Sequence, residues 1–172
     1  MELKDAIGLI EKGIPKIGEQ LWLDLGAGSG LFTHALASIL PEGSTVYAID
    51  KENSLQQFSH SPQLQVKTVR QDFVSDPVVI TNCDGILMAN SLHYAKDQAV
   101  LLSKLKALLK PGARIIVVEY DTLQQNSWVP YPVSFAALAK MVNHITKVPV
   151  VKLATLPSVY HSGGIYAALI RC

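Results

Sequence analysis

The chain is poor in cysteine, in charge and in long apolar runs, and each shortage excludes a class of protein. Its 172 residues include two cysteines, Cys83 and Cys172, which are too few for a disulfide framework and have no metal-ligand spacing. Charged residues make up 17% of the chain and hydrophobic ones 49%, which excludes an intrinsically disordered protein. A formal net charge of +1 lacks the basic excess that proteins use to hold nucleic acid through its phosphates.

Membrane and export signals are also lacking. No stretch approaches the roughly 18 apolar residues of a membrane span, and the start Met1–Asp5 carries charges of both signs without the apolar region of a signal peptide. Unpaired cysteines suit a reducing compartment. We therefore expect a cytoplasmic protein without a membrane segment, and no metal site.

Apolar periodicity divides the chain into alternating strands and helices. Strands are predicted at 21–25, 45–49, 64–69, 85–89 and 114–118, and helices at 3–10, 32–40, 53–58, 101–109 and 135–145. Strands that alternate with helices indicate right-handed βαβ units and a doubly wound, Rossmann-like α/β fold. Two last β segments, 150–156 and 165–170, predict a hairpin that adds an antiparallel strand.

The strongest local signal is a glycine-rich turn between the first strand and the following helix, Gly26-Ala27-Gly28-Ser29-Gly30. Glycine permits a tight turn and lets a ligand approach the backbone closely. The helix beyond it presents unpaired N–H groups. A tight turn alone would also favour glycine, so the loop needs support from other residues.

That support comes from acidic residues at the ends of successive strands. Asp24 precedes the glycine loop, Asp50 ends the second strand, and Asp72 follows the third strand beside Phe73. The carboxyl ends of parallel strands line the crevice in which open α/β sheets bind ligands. A carboxylate there can accept hydrogen bonds from a ribose diol, and an acid beside an aromatic ring suits a purine. Together these residues predict an adenosine-containing cofactor.

Two common nucleotide motifs do not fit. The dinucleotide pattern G-x-G-x-x-G/A fails because Leu31 stands at its third glycine position. No G-K-[ST] follows the loop, which excludes a P-loop. The loop also has no Lys or Arg, and Asp24 beside it suits a cationic ligand better than a pyrophosphate.

Four segments resemble the motifs of the class I S-adenosylmethionine-dependent methyltransferases: Asp24–Gly30, Val46–Lys51, Met88–Tyr94 and Leu108–Arg114. The resemblance covers about residues 21–120. It implies a seven-stranded, mostly parallel sheet with an antiparallel C-terminal strand and helices on both faces. It also implies S-adenosyl-L-methionine as cofactor and methyl transfer by direct displacement.

The same resemblance assigns roles to individual residues. The glycine loop, with Gly26, Ala27, Gly28 and Gly30, would pass under the methionine part of the cofactor, and Asp24 would lie near its amino group. Asp50, followed by Lys51, would hold the ribose hydroxyls. Asp72 and Phe73 would meet the adenine, and Asn90 would lie beside the methionine moiety.

On the acceptor side, Asn90-Ser91-Leu92-His93 replaces the Asn/Asp-Pro-Pro-Tyr motif of methylases that act on amide or base nitrogens. We therefore expect a small-molecule acceptor rather than a nucleic acid. His93 is a candidate general base because its reference pKa is near 6.5, and Tyr94 is a second catalytic candidate. The candidates for an acceptor pocket are aromatic: Tyr120, Trp128 and Tyr131.

The predicted organisation is one methyltransferase domain over residues 1–172, as a monomer or homodimer. A helix and loop at 1–18 cap a cofactor-binding core at 19–120, and 121–172 supply a substrate-side loop, helix and hairpin. We expect the N-terminal helix and the loop 121–132 to cover the cleft. The main alternative is a non-catalytic module that binds S-adenosylmethionine or a protein partner on the same fold. A nicotinamide-dependent oxidoreductase and an aminopropyl transferase fit less well.

Overall fold

A computed structural model describes residues 1–52, 64–157 and 163–172. The strands are β1 (Leu21–Leu25), β2 (Thr45–Asp50), β3 (Gln65–Arg70), β4 (Cys83–Ala89), β5 (Leu109–Tyr120), β6 (Val151–Leu156) and β7 (Ile165–Arg171). The helices are α1 (Leu3–Ile10), α2 (Leu31–Ile39), α3 (Gln98–Lys106) and α4 (Phe135–Thr146), with 3₁₀ turns at Glu11–Gly13 and Leu92–Tyr94. The helix predicted at 53–58 lies outside the described residues.

The seven strands form one sheet in the order β3-β2-β1-β4-β5-β7-β6. Strand β7 pairs antiparallel with both β5 and β6, whereas the pairs among β1 to β5 are parallel. The predicted fold class and the antiparallel last strand are confirmed. The strand order reverses between β1 and β4, which opens a crevice at their carboxyl ends.

Helices cover both faces of the sheet. Apolar residues of α1 and α2, including Leu9 and Leu36, pack with Trp22 on one face. Apolar residues of α3 and α4, including Leu105 and Leu138, pack on the other. Central strands buried on both faces explain the nearly continuous apolar runs in the sequence.

The third helix and the fifth strand differ from the prediction. The helix predicted to reach residue 109 ends at Lys106, and β5 already begins at Leu109. The pairing of β4 with β5 shifts between Cys83 and Gly85, so residues 110–113 form an irregular start of β5. Pro111 lacks an N–H and Gly112 has a φ of +78°, which suits such an interruption of the ladder.

Within the described parts of the chain, none of the helices has the length and apolar content needed to cross a bilayer.

Candidate active site

A cavity of about 1080 Å³ lies at the carboxyl ends of the central strands. It is large enough for a cofactor and an acceptor together, since single ligand pockets measure roughly 300–1,000 Å³. Its wall combines the strand-end segments named in the sequence with residues from distant parts of the chain. The lining includes Met1, Asp5, Gly26, Ala27, Gly28, Asp50, Lys51, Asp72, Phe73, Asn90, Ser91, Tyr94, Tyr120, Leu156 and Ile165.

The glycine loop forms the floor of the cavity through Gly26, Ala27 and Gly28, while Gly30 caps the start of α2. Gly26 has a φ of +79°, and a Cβ there would lie 2.5 Å from the Cβ of Ser91. Any side chain at Gly26 would therefore collide with the end of β4 and adopt a strained backbone conformation. Ser91 is fixed in turn, because its hydroxyl donates to the Leu25 carbonyl at 2.6 Å.

Asp50 connects two parts of the cavity wall. One carboxylate oxygen accepts the Gly28 N–H at 2.8 Å, and the other accepts the Glu52 N–H at 2.9 Å. Each carboxylate oxygen has a further lone pair, so Asp50 can hold the loop and still accept from the hydroxyls of a ligand.

Asp24 lies beneath the glycine loop and is not part of the cavity lining. It is 1% exposed, and one carboxyl oxygen accepts the Thr33 hydroxyl at 2.6 Å. Its other oxygen has no partner among the described residues. Burial, partly offset by the Thr33 hydrogen bond and reinforced by Asp50, raises the pKa of Asp24 to about 7. A cation bound above it would restore the ionised form.

Asp72 and Phe73 both reach the cavity. The Asp72 carboxylate accepts the Val74 N–H at 3.0 Å, which closes a tight turn after β3. Phe73 is buried and belongs to the core on the α3 and α4 side. The pair thus offers an acceptor and an apolar wall at the same edge of the cavity.

Asn90 has the left-handed backbone conformation, with a φ of +52°, which Asn tolerates better than most residues. Its N–H donates to the Val118 carbonyl at 2.8 Å, so β5 holds it at the cavity. Its side-chain carbonyl oxygen is buried and has no partner among the described residues. This oxygen and the glycine floor fit a ligand with a polar, hydrogen-donating end, as an α-amino group provides.

His93 and Glu119 form a buried pair beside the cavity. The imidazole Nδ1 lies 2.7 Å from Oε2 of Glu119, and Oε1 accepts the His93 backbone N–H at 3.2 Å. The residues are 2% and 1% exposed. Because a carboxylate can only accept, Nδ1 carries the proton of this hydrogen bond, and in a neutral imidazole Nε2 then has the lone pair. Nε2 has no partner among the described residues.

Tyr94, and not His93, is part of the cavity lining. The two rings are 4.4 Å apart between centroids and inclined by 52°, so the imidazole is in contact with a residue of the cavity wall. Tyr94 is 49% exposed, and the Lys51 ammonium lies 5.9 Å from its ring centre.

The three aromatic candidates for the acceptor pocket do not share a location. Tyr120 lines the cavity near Leu156 and Ile165. Trp128 is 80% exposed, and neither it nor Tyr131 is part of the lining. Of the two segments expected to cover the cleft, α1 reaches the wall through Asp5, whereas the lining includes no residue of 121–132.

Glu119 was not among the site residues predicted from the sequence. It ends the apolar part of β5, so the rule that pointed to Asp50, an acid at the carboxyl end of a strand, would have found it. The cavity residues Asp5, Leu156 and Ile165 gave no comparable signal because they come from elements far apart in the chain. Among the described residues, His, Cys, Asp and Glu side chains form no group of three or more that could hold a metal ion.

Comparison with known proteins is consistent with this geometry. The model of a family described as "Methyltransferase domain" matches residues 23–117. This range contains the glycine loop, Asp50, Asp72 and His93.

Curated relatives are of two kinds. The chain is 31% identical over 108 residues to fumosorinone synthetase of Cordyceps fumosorosea, a match that covers 57% of this chain and 3% of that protein. It is 27% identical over 127 residues to an uncharacterised methyltransferase of Mycobacterium tuberculosis, covering 70% of this chain and 61% of that protein. The chain therefore spans less than two thirds of either relative.

Among solved structures, the fold is similar to that of the Burkholderia thailandensis 1,6-didemethyltoxoflavin-N1-methyltransferase, crystallised with 1,6-didemethyltoxoflavin and S-adenosylhomocysteine. The TM-score is 0.73 at 17% identity, and the alignment covers 98% of this chain and 77% of that one. At this identity the similarity concerns the fold.

Proposed function

The chain belongs to the class I S-adenosylmethionine-dependent methyltransferase family, whose domain model matches more than half of its residues, and we propose that it methylates a small-molecule acceptor that loses a proton to His93. The buried His93–Glu119 pair beside the cavity carries this proposal. An imidazole oriented by a carboxylate is the arrangement that general-base catalysis uses.

The cofactor end of the cavity is formed by the strand-end residues. We assign the ribose hydroxyls to Asp50 with Lys51 alongside, the adenine to Asp72 and Phe73, and the methionine part to the glycine loop (Gly26, Ala27, Gly28 and Gly30), Asp24 and Asn90. The open lone pairs of Asp50 and the unpartnered oxygen of Asn90, both at the cavity, support this orientation, whereas Asp24 would act from beneath the glycine loop. Bound S-adenosylmethionine supplies an electrophilic methyl group on a sulfonium with a neutral leaving group.

His93 acts as the general base. Glu119 orients the ring by accepting from Nδ1, which leaves the Nε2 lone pair to take the acceptor's proton, and the imidazolium then formed is stabilised by the carboxylate. The acceptor therefore has a proton on its nucleophilic atom. Tyr94 lines the cavity and contacts the imidazole, whereas His93 does not line it, so proton transfer requires the Tyr94 ring to move when the acceptor binds. The Tyr94 side chain is about half exposed.

The acceptor end of the cavity has an apolar part. Tyr120, Leu156 and Ile165 supply its wall, which suits the carbon skeleton of a small organic molecule. Trp128 and Tyr131 can meet only a part of the acceptor that extends beyond the cavity. The cytoplasmic location and the monomeric or homodimeric state remain sequence-based predictions.

The experiment is a screen with S-adenosylmethionine and small molecules that carry a phenol, an amine, a thiol or a carbon acid between two carbonyls, with S-adenosylhomocysteine as the measured product. We expect turnover with at least one class. His93→Ala should lower kcat roughly 10²–10⁴-fold, the usual contribution of a general base, without weakening cofactor binding.

The matched control is His144→Ala, because His144 is exposed on α4 and bonds only to its own helix among the described residues. It should leave kcat within about twofold, since substitutions at exposed positions outside the site have small effects. An active His93→Ala variant would refute the base assignment. Cofactor binding without product from any acceptor class would favour the non-catalytic module.

A further inference from the structure

The segment Val129–Val133, called the strap below, crosses the 3₁₀ turn that carries His93. It contains the sequence Pro130-Tyr131-Pro132, so Tyr131 has the one backbone N–H of these three residues. That N–H donates to the His93 carbonyl at 3.0 Å. Each proline also restricts the residue before it to extended conformations. The strap is therefore stiff, and the one N–H group at its centre is hydrogen-bonded to His93.

Both ends of the strap are fixed. Val129 and Val133 are buried, at 3% and 2% exposure. The Asn126 side chain accepts the Val129 N–H at 2.8 Å, and the Tyr166 hydroxyl donates to the Val133 carbonyl at 2.9 Å. Tyr166 is fully buried on β7, which pairs with β5 on one side and β6 on the other, so the strap is tied to the sheet.

Gln98 fastens the strap to the turn. It is the first residue of α3 and is buried. Its side-chain NH₂ group donates to the Tyr131 carbonyl at 2.8 Å and lies 3.5 Å from the Leu92 carbonyl. One amide thus bridges the residue before His93 and the residue that caps the His93 carbonyl.

We propose that Gln98 is a positioning residue for the base, and that it acts through the strap to hold the His93 imidazole at the angle its proton transfer needs. This inference rests on the proposed role of His93. Glu119 fixes the ring and the His93 N–H, and the strap fixes the His93 carbonyl. Without the Gln98 amide, the Tyr131 carbonyl loses its donor and the turn gains freedom to shift. Small displacements of a catalytic group cost large factors in rate.

The first test needs no acceptor and uses the variant Gln98→Met, which keeps the length of the side chain but removes both donors. In the wild type, the proton between Nδ1 and Glu119 should give a downfield ¹H NMR signal, assigned by its loss in His93→Ala. In Gln98→Met the signal should broaden or move upfield. The control is Gln124→Met, at an exposed position of the preceding loop, which should leave the signal unchanged. An unchanged signal in Gln98→Met would overturn the proposal.

The second test is kinetic and uses the acceptor found by the screen. Gln98→Met should lower kcat about tenfold, because a slightly displaced base costs less rate than a fully displaced one. The KM for S-adenosylmethionine should stay within about twofold. In the His93→Ala background, Gln98→Met should lower kcat no further. An equal loss in both backgrounds would show a merely structural role and overturn the proposal.

Two outcomes separate this inference from the proposed function. If His93→Ala keeps full activity, the base assignment fails, whatever Gln98 does. If His93→Ala is inactive and Gln98→Met is fully active, the base assignment stands and the strap inference fails. Should Gln98→Met not fold, Gln98→Asn keeps the amide on a shorter side chain. It should then show a smaller kcat loss of the same kind, and wild-type kcat with an unchanged NMR signal would refute the proposal.

Discussion

The two ends of the cavity are built in different ways. At the end that we assign to the cofactor, the polar residues end a strand or follow one closely, as Asp50 and Asp72 do. At the acceptor end, the wall combines α1, the ends of β5 and β6 and the start of β7, through residues such as Asp5, Tyr120 and Leu156. The first end is formed by polar residues at the ends of successive strands. The second is formed by residues that tertiary packing brings together from distant parts of the chain.

This difference predicts that substitutions can damage one end of the cavity and spare the other. The largest such effect is expected for Glu119→Gln, which keeps the size of the side chain but removes the charge that stabilises an imidazolium. We expect kcat to fall roughly 10²-fold or more while the Kd for S-adenosylhomocysteine stays within twofold. Paired kinetics and calorimetry measure the two quantities.

Glu42→Gln, at an exposed position, is the control for Glu119→Gln. If Glu119→Gln both weakened S-adenosylhomocysteine binding and lowered kcat, the two ends of the cavity would not act independently.

The reverse effect is expected for Asp50→Ala. Ribose hydroxyls would lose a charged acceptor, which we expect to weaken cofactor binding by roughly 2–3 kcal/mol. At saturating cofactor, kcat should stay within about threefold, since the hydrogen bonds of Asp50 go to the Gly28 and Glu52 N–H groups and not to the His93–Glu119 pair. Asp76→Ala, at an exposed position after β3, should bind normally. Wild-type affinity in Asp50→Ala would mean that the residue only holds the Gly28 and Glu52 N–H groups.

A third prediction concerns Asp24 in the cofactor-free protein. Its pKa rises from 3.8 to about 7 on burial, so the folded state binds a proton that the unfolded state releases. The stabilisation is complete below pH 3.8 and is lost as pH rises through 7. Between pH 5 and 8 we expect this group to lower the free energy of unfolding by about 2 kcal/mol.

Urea unfolding at several pH values measures the Asp24 contribution, with Asp24→Asn as the comparison. In Asp24→Asn, the free energy of unfolding should lack this decrease with rising pH. An identical pH dependence in both proteins would assign the slope to other groups.

The smallest expected effect distinguishes two aromatic residues of the acceptor side. Tyr120 lines the cavity, whereas Trp128 is 80% exposed outside it. Tyr120→Leu should raise the KM for the acceptor about fivefold to tenfold, the effect of about 1 kcal/mol of lost contact. Trp128→Leu should change this KM less than twofold. The opposite ranking would place the acceptor outside the cavity.

The features of the fold that local sequence patterns determine could be predicted from the sequence. The mostly parallel seven-stranded sheet, the antiparallel last strand and the position of the glycine loop follow from periodicity, turn chemistry and the family resemblance. The early end of α3 did not, because the irregular start of β5 depends on its pairing with Cys83 and Gly85 across the sheet. Leu108 and Leu109 continue a helical pattern that this pairing overrides.

The candidate site shows the same limit. Asp50, Asp72 and Asn90 could be found because each ends a strand or follows one closely. Glu119 is also an acid near the carboxyl end of a strand, but it directly continues an apolar run and therefore did not stand out in the sequence. The contact between Gln98 and Tyr131 spans 33 residues, and nothing in the spacing of a lone glutamine and a Pro-Tyr-Pro segment indicates it.

The most direct test of the central claim is a calorimetric titration of the protein with S-adenosylmethionine, with NADH titrated in parallel. The open acceptors of Asp50 and Asn90 and the glycine floor predict binding in the low- to mid-micromolar range, on the order of −7 kcal/mol, and no binding of NADH. An absence of heat and of any thermal shift with millimolar S-adenosylmethionine would contradict the account.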